Sequence, residues 1–592
     1  MDRSQASASR SGEGGGVYQN RMRIVVAVDF GTTFSAVAYA NTHNPSVQKL
    51  LTSWGDGGVT QDKVPTILRY DNRGTTGAYH WGLRVQKYID YGEKVHEWFK
   101  LGLCNDFEER RSRESEFMSK YKSQTAQPPV KGEVCEGLVV NYLQGIKGAV
   151  DHFFIKNFDE DVARCPRDYI ITVPALWDHA EQEKTRRCAE RSGMGEGTQL
   201  QIISEPEAAC IYAIQTMLSA KVKDTYVICD AGGGTVDLAS YTITSLSMNP
   251  FHCQLAGAAT GSGGLCGSSF LNRIFEEYLR DKFKDYDGWH KMYMIDASKA
   301  FEERIKPGFT GDNEDPHIIR IGGLKPSKPH GVEKNFLTLT TKELREKVFD
   351  VVITKIQGLV RDQIANTDGR VKEVLLAGGF GKNRYLQKRL TEIDDSDTAI
   401  ARGALMAGLA GLGRTHKIED DGGFNASPAG TKVVSRIAGR HYGTTAYYDF
   451  QEGKDENNRD DGAKIEKIQW FAKKGDSIPD GRPVSFEFFK VAKVRSNVPA
   501  HEVCNPTVRI YTCEKLTPPE YKDDPTVWEI AKFKLDFRGL SIPTILIKGE
   551  EFYNAEFAIE MTLRAASLSF HGVYSKGLTV PKRFPANHVQ FR

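Results

Sequence analysis

Two short strings in this chain carry the residue types suited to gripping a polyphosphate. They are RIVVAVDFGTTFSAVAYA, residues 23–40, and TYVICDAGGGTVDLASYTI, residues 225–243. In each, a β-branched run ends at an aspartate, small residues follow, and a second alternating run leads away. That pattern predicts strand, tight turn, strand. Glycine lets the backbone come close to an anion, and successive N–H groups in such a turn form an anion-binding nest. Gly31 in one copy and Gly232, Gly233 and Gly234 in the other fill that role, while Thr32, Thr33 and Thr235 add hydroxyl donors. Asp29 and Asp230 hold the same place in the two copies. If the turns face each other, these carboxylates converge, repel, and call for a cation. Magnesium suits the place, because it keeps several waters and bridges carboxylates to phosphate oxygens. One such turn alone is equally a structural hairpin with glycine at positive φ. The matched pair points to two related lobes holding one polyphosphate. Neither copy is a P-loop, which runs into a helix and ends in Gly-Lys-Ser/Thr.

Two further segments could face the same ligand. In KEVLLAGGFGKNRYLQKRL, residues 372–390, an apolar strand ends at Gly378-Gly379 and polar residues open a helix. Helix N-terminal amides and the dipole favour a ligand there; the same pattern is also a common α/β crossover. In LQIISEPEAACIYAIQTML, residues 200–218, the strand stops at Ser204 and Pro206 fits a first helical position. Glu205 therefore sits at a strand-to-helix corner, either pointing into a cleft or merely favouring the helix dipole.

The elements that must position these residues belong to a long chain. At 592 residues it exceeds one core and predicts three or four folded units. Residues 23–413 alternate strand-like and helix-like segments, the texture of α/β lobes. Leu344, Val348, Val352, Ile356, Val360 and Ile364 recur every four residues and predict one long amphipathic helix. Residues 414–435 are polar and rich in Gly, Asp and Ser, and read as a linker. Beyond 436 the period drops to two: Phe557, Ile559, Met561 and Leu563 alternate with Glu556, Glu560, Thr562 and Arg564. That predicts an antiparallel β domain over 436–592 with one wet face. Residues 1–22 are Ser/Gly-rich without an apolar core and read as a disordered tail.

Composition narrows the classes of function. A net charge of +2 argues against nucleic acid as the main partner. No run of about 18 apolar residues is present, so no membrane span is expected. Ten cysteines lie singly, without a CxxC, which fits a reducing, cytoplasmic address and neither a zinc site nor a disulfide framework.

The order DFGTTFS, ITVPALW, ISEPEAA, DAGGGTVD, LAGGFGKN resembles the nucleotide-binding domain of the heat-shock 70-kDa chaperone family, within the actin and sugar-kinase superfamily. The similarity covers roughly residues 23–413, and the chain looks most like the divergent fungal and animal relatives that keep the ATPase and alter the rest. The resemblance implies an α/β fold: a two-lobed, actin-like ATPase around a cleft for MgATP, followed by a β-rich substrate domain. It implies that Asp29 and Asp230 hold Mg2+ through water. Gly31, Thr32, Thr33, Gly232, Gly233, Gly234 and Thr235 would then bind phosphates. Glu205 and Asp237 would lie around the attacking water, and Lys100, in EWFKLGL, would stabilise the γ-phosphate. Gly378, Gly379 and Asp397 would lie by the nucleoside of ATP or ADP. Glu303 and Lys306, in FEERIKPG, fit the family's Glu-x-x-Lys, but Pro307 and Lys382 stand where arginines should stack on adenine. Only six residues separate Leu390 from Asp397, the linker lacks the family's acidic-and-leucine run, and no helical lid follows Phe570. The expected activity is ATP hydrolysis by a chaperone-like protein whose partners are extended polypeptide and co-chaperones. A small-molecule kinase on the same fold and a non-catalytic, nucleotide-gated scaffold are the alternatives.

Overall fold

The computed structural model describes residues 22–54, 60–71, 77–90, 93, 95–104, 132–177, 179–217, 219–248, 251–312, 315–393, 399–405, 417–418, 424–425, 431–449, 451, 464–564 and 567–585. Asp397 lies outside them, as does nearly all of the expected tail.

The first sheet is built from β1 (Ile24–Phe30), β2 (Phe34–Asn41), β3 (Asn44–Leu50), the two-residue β4 (Val64–Pro65), β5 (Arg167–Val173) and β6 (Leu200–Ser204). Its order is β3-β2-β1-β5-β6, with β4 on the open end of β2. The β1–β2 hairpin is antiparallel, whereas β5 and β6 join in parallel. Helices α1 (Gly132–Asn157) and α2 (His179–Arg191) cover one face, where Val26, Val28, Phe30, Tyr142 and Ile171 form a core. On both faces the β1 run IVVAV is buried, which explains its unbroken apolar character.

Helix α3 (Glu205–Thr216) leads to a second sheet of β7 (Thr225–Ala231), β8 (Val236–Met248) and β9 (Phe251–Gly264), then, past α4 (Ser269–Lys282), β10 (Val371–Ala377), β11 (Ala399–Leu405), β12 (Thr431–Ile437) and β13 (Ser477–Pro479). The order β9-β8-β7-β10-β11 repeats the first sheet's plan: a hairpin at the centre, then two parallel strands. Its core includes Val227, Val236, Phe270, Phe275, Val352 and Leu376. Helix α3 lies between the sheets. Ala208 and Ile211 pack with Ala27 and Ala38 of the first, while Ala209, Cys210 and Ile214 pack with Tyr226 and Ile228 of the second. The period-four segment is one helical run from Thr341 to Ala365 with a π turn at Arg345–Phe349.

The stretch read as a linker over 414–435 needs correction at its end. Residues 431–437 are a strand, parallel to β9 and antiparallel to β13. The β-branched pair Val433-Val434 drives this, and Val433 is buried in the second sheet's core. Past β12, the strands other than β13 make two antiparallel sheets. One orders Lys464–Ala472, His441–Asp449, Thr507–Cys513 and Val527–Lys534; the other orders Pro483–Lys493, Glu550–Arg564, Ser567–Tyr574 and Lys582–Pro585. They share one core containing Ile510, Phe533, Ile559, Met561 and Phe570.

Candidate functional site

The two glycine turns touch. A Cβ on Gly233 would stand 2.0 Å from Thr33 Oγ1, and one on Gly234 would stand 2.6 Å from Thr32 Cγ2. Glycine is thus required by close approach between the hairpins. Each turn is pinned from behind. Thr66 donates from its amide to Thr33 O (2.8 Å) and from its hydroxyl to Gly31 O (2.9 Å). The amides of Gly267, Ser268 and Ser269, at the start of α4, donate to the carbonyls of Gly234, Gly232 and Gly233.

Around this junction stand four carboxylates and two ammonium groups. Asp29, at the end of β1, accepts from Thr172 Oγ1 (3.2 Å) and pairs with Lys63 Nζ (3.4 Å). Asp230 lies opposite Asp237 across the second hairpin. Burial, and then Glu205, Asp29 and Asp237, push the Asp230 carboxyl well above the usual range, against the pull of Lys63. Asp237 is fully buried and accepts from the Leu176 amide at 3.4 Å. Glu205 opens α3, whose N-cap is Ser204 and whose first turn holds Pro206. Lys100 Nζ donates to Glu205 Oε1 at 2.6 Å, although Lys100 itself is only 1% exposed. Its stem is enclosed by Phe30 and Trp177, with the ammonium 5.4 Å from each ring centroid. Burial raises Glu205 to about 7; Lys100 pulls it down while Asp237 and Asp29 push it up. Fully ionised, four carboxylates against two lysines leave a surplus of two negative charges. That surplus fits a divalent cation in the donor chemistry preferred by magnesium. Among the described residues no three His, Cys, Asp or Glu side chains close on a direct metal site.

A second group of the expected residues gathers on one side. Gly378 follows β10 with φ +80, and a Cβ there would meet Ala231 O at 2.3 Å and Asp230 Oδ1 at 2.4 Å. The loop therefore abuts the second carboxylate. Asn383 caps the following helix and donates to Lys306 O at 2.9 Å, tying residues 378–383 to 301–308. Lys306 Nζ donates to Asn272 Oδ1 (3.1 Å) and pairs with Glu302. Glu303, Pro307, Gly379 and Lys382 are exposed.

A model of the Hsp70 protein family matches residues 152–415, which contain Glu205, the second turn and the 378–383 loop. Human heat shock 70 kDa protein 12A is 23% identical over 495 residues, 66% of this chain and 70% of that protein. Human heat shock 70 kDa protein 12B is 22% identical over 506 residues, covering 66% and 69%. The chaperone protein HscA homolog of Acinetobacter baumannii is 24% identical over 382 residues, 63% of this chain and 54% of that protein. Residues 152–415 are thus similar to the Hsp70 proteins, and the chain resembles heat shock 70 kDa proteins 12A and 12B at low identity. Two residues of the junction, and Trp98 two residues before Lys100, carried no signal in the sequence. Lys63 sits in a polar stretch just ahead of β4, and only the pairing of β4 with β2 brings it to Asp29. Thr172 is one of several β-branched residues in β5. Trp98 reads as an ordinary apolar residue.

Proposed function

We propose that this protein binds MgATP in a cleft between two lobes, one built on each duplicated sheet, and hydrolyses it in a chaperone-like cycle. The observation that carries the reading is the contact of the two turns, with Asp29, Asp230, Glu205 and Lys100 gathered around it. In this scheme the amides and hydroxyls of residues 31–33 and 232–235 hold the phosphates. Asp29 and Asp230 hold magnesium through water, and the metal supplies charge stabilisation at the phosphoryl oxygens. Glu205, with its carboxyl raised towards neutrality, accepts a proton from the attacking water, and Asp237 helps to orient that water. Lys100, locked between Phe30 and Trp177, places a fixed positive charge on the transferring phosphoryl. Gly378, Gly379, Glu303, Lys306 and Lys382 face the nucleoside. The antiparallel sheets beyond 437 take an extended polypeptide along an edge strand, and co-chaperones are the expected regulators. The cytoplasm is the proposed compartment, in keeping with ten cysteines that lie singly along the sequence. No helix among the described residues is long and apolar enough to cross a membrane.

Two observations favour a second reading, a nucleotide-gated scaffold without turnover. Lys63 already places a positive charge on Asp29, and Pro307 leaves the adenine side altered. Phosphate release and ATP binding, measured on the whole chain and on Glu205→Gln, separate the two. The ATPase reading expects wild-type turnover and a loss of about 10²–10⁴-fold in Glu205→Gln with binding retained. Binding without release in the wild type selects the scaffold, and no ATP binding at all overturns both.

A further inference from the structure

Residues 97–101 make a connection that the nucleotide reading does not require. Trp98 has φ 62 and ψ 13, the left-handed region that a bulky side chain seldom adopts. Strain of this kind persists only where the surroundings over-determine it, and it concentrates at functional places. Here the surroundings are plain. Three successive side chains leave for three destinations. Trp98, 3% exposed, enters the core of the second sheet with its ring 5.3 Å from Phe270. Phe99 enters the core of the first sheet, 5.6 Å from the Tyr142 ring. Lys100 reaches Glu205. Leu101 returns to the second core beside Trp98.

The indole is also clamped. The Arg273 guanidinium, on α4, lies 3.5 Å from the Trp98 ring centroid and within 4.0 Å of Glu97 on the adjoining residue. A cation on an indole face in a desolvated setting is among the stronger contacts of its kind. The short 3-10 turn Phe99–Leu103 transmits this position, since the Leu101 amide donates to Trp98 O at 3.0 Å.

We propose that Trp98 is a positioning residue that locks the two sheet-bearing halves together and, through that lock, holds Lys100 on Glu205. Separating the halves, as release of a bound nucleotide requires, means drawing the indole off Phe270 and Arg273. Opening and displacement of Lys100 then become one event. The inference rests on the MgATP reading above.

The test is the dissociation rate of a fluorescent ADP analogue from the whole chain, alongside single-turnover ATP hydrolysis and thermal melting. Trp98→Gly removes the indole while supplying the residue best suited to φ 62, so backbone strain cannot explain its effect. Arg273→Met leaves the indole in place and removes the clamp. Both variants are expected to release the analogue faster, Trp98→Gly by about 10-fold or more, and to hydrolyse more slowly. The double variant should add little to Trp98→Gly, because both break one contact. Release rates unchanged in both variants, whether or not melting falls, would make Trp98 a packing residue and overturn the inference while leaving the nucleotide reading intact. A wild-type chain that fails to bind the analogue would overturn the nucleotide reading, and this inference with it.

Discussion

Glu205 shows why the chemistry of this site is set by placement more than by residue type. A glutamate at a helix start is ordinarily a solvated helper of the dipole. Here burial pushes its carboxyl to about 7 while Lys100, at 2.6 Å, opposes the shift. The value lies above the ordinary 4.5, so the buried, ionised form is disfavoured. Its contribution to stability is therefore complete below 4.5 and is lost as pH rises through about 7. Catalysis runs the other way, because a proton acceptor must be ionised. Single-turnover hydrolysis should climb with pH to about 7 and then level off; a rate flat from pH 5 to 8 would remove Glu205 from that role. Gly233 makes the second residue-scale prediction. A Cβ 2.0 Å from Thr33 Oγ1 must force the turns apart. Overpacking of this kind costs about 1–3 kcal/mol, so Gly233→Ala should weaken ATP binding by roughly 5- to 150-fold, measured by calorimetry. The glycines and aspartates of the junction were legible because their chemistry is local. Lys63 and Trp98 were not, because their positions depend on pairing and packing between distant segments.

At the scale of elements, α3 and β12 belong together. Glu207, two residues after Glu205, pairs bidentately with Arg436 of β12 at 2.7 and 2.8 Å, and Arg436 also pairs with Asp480. Both partners are largely buried, and burial opposes the charge on Arg436 while Glu207 and Asp480 outweigh it, raising its pKa. Removing one member of a buried pair strands the other charge, at about 3–5 kcal/mol. Arg436→Met should therefore lower stability by that amount in denaturant unfolding, and Glu207→Gln by a comparable amount; a change under about 1 kcal/mol would mean the pair is hydrated. Through that contact β12, at the end of the stretch read as a linker, continues the second sheet and anchors on the helix that begins with Glu205. Composition averages hid it, because only three β-branched residues, Thr431, Val433 and Val434, sit at the end of a Gly/Asp-rich stretch. By contrast, the helix from Thr341 to Ala365 was readable throughout, since its period-four apolar stripe meets a single core.

For the whole molecule, the repeated hairpin in the sequence has a counterpart in the repeated order of two sheets, β3-β2-β1-β5-β6 and β9-β8-β7-β10-β11. Such a repeat is legible where both copies keep their turn chemistry. The period-two texture past 436 likewise shows in paired antiparallel sheets with one core. How the sheets would bring their turns together was not readable, because no local signal specifies which faces meet. The account's central claim is that one nucleotide lies between the turns at 31–33 and 232–235. Amide hydrogen exchange of the whole chain, with and without MgATP, tests this most directly. The account predicts slowed exchange in both turns together, and in residues 378–383 beside them. Saturating MgATP that leaves both turns exchanging as in its absence would contradict it.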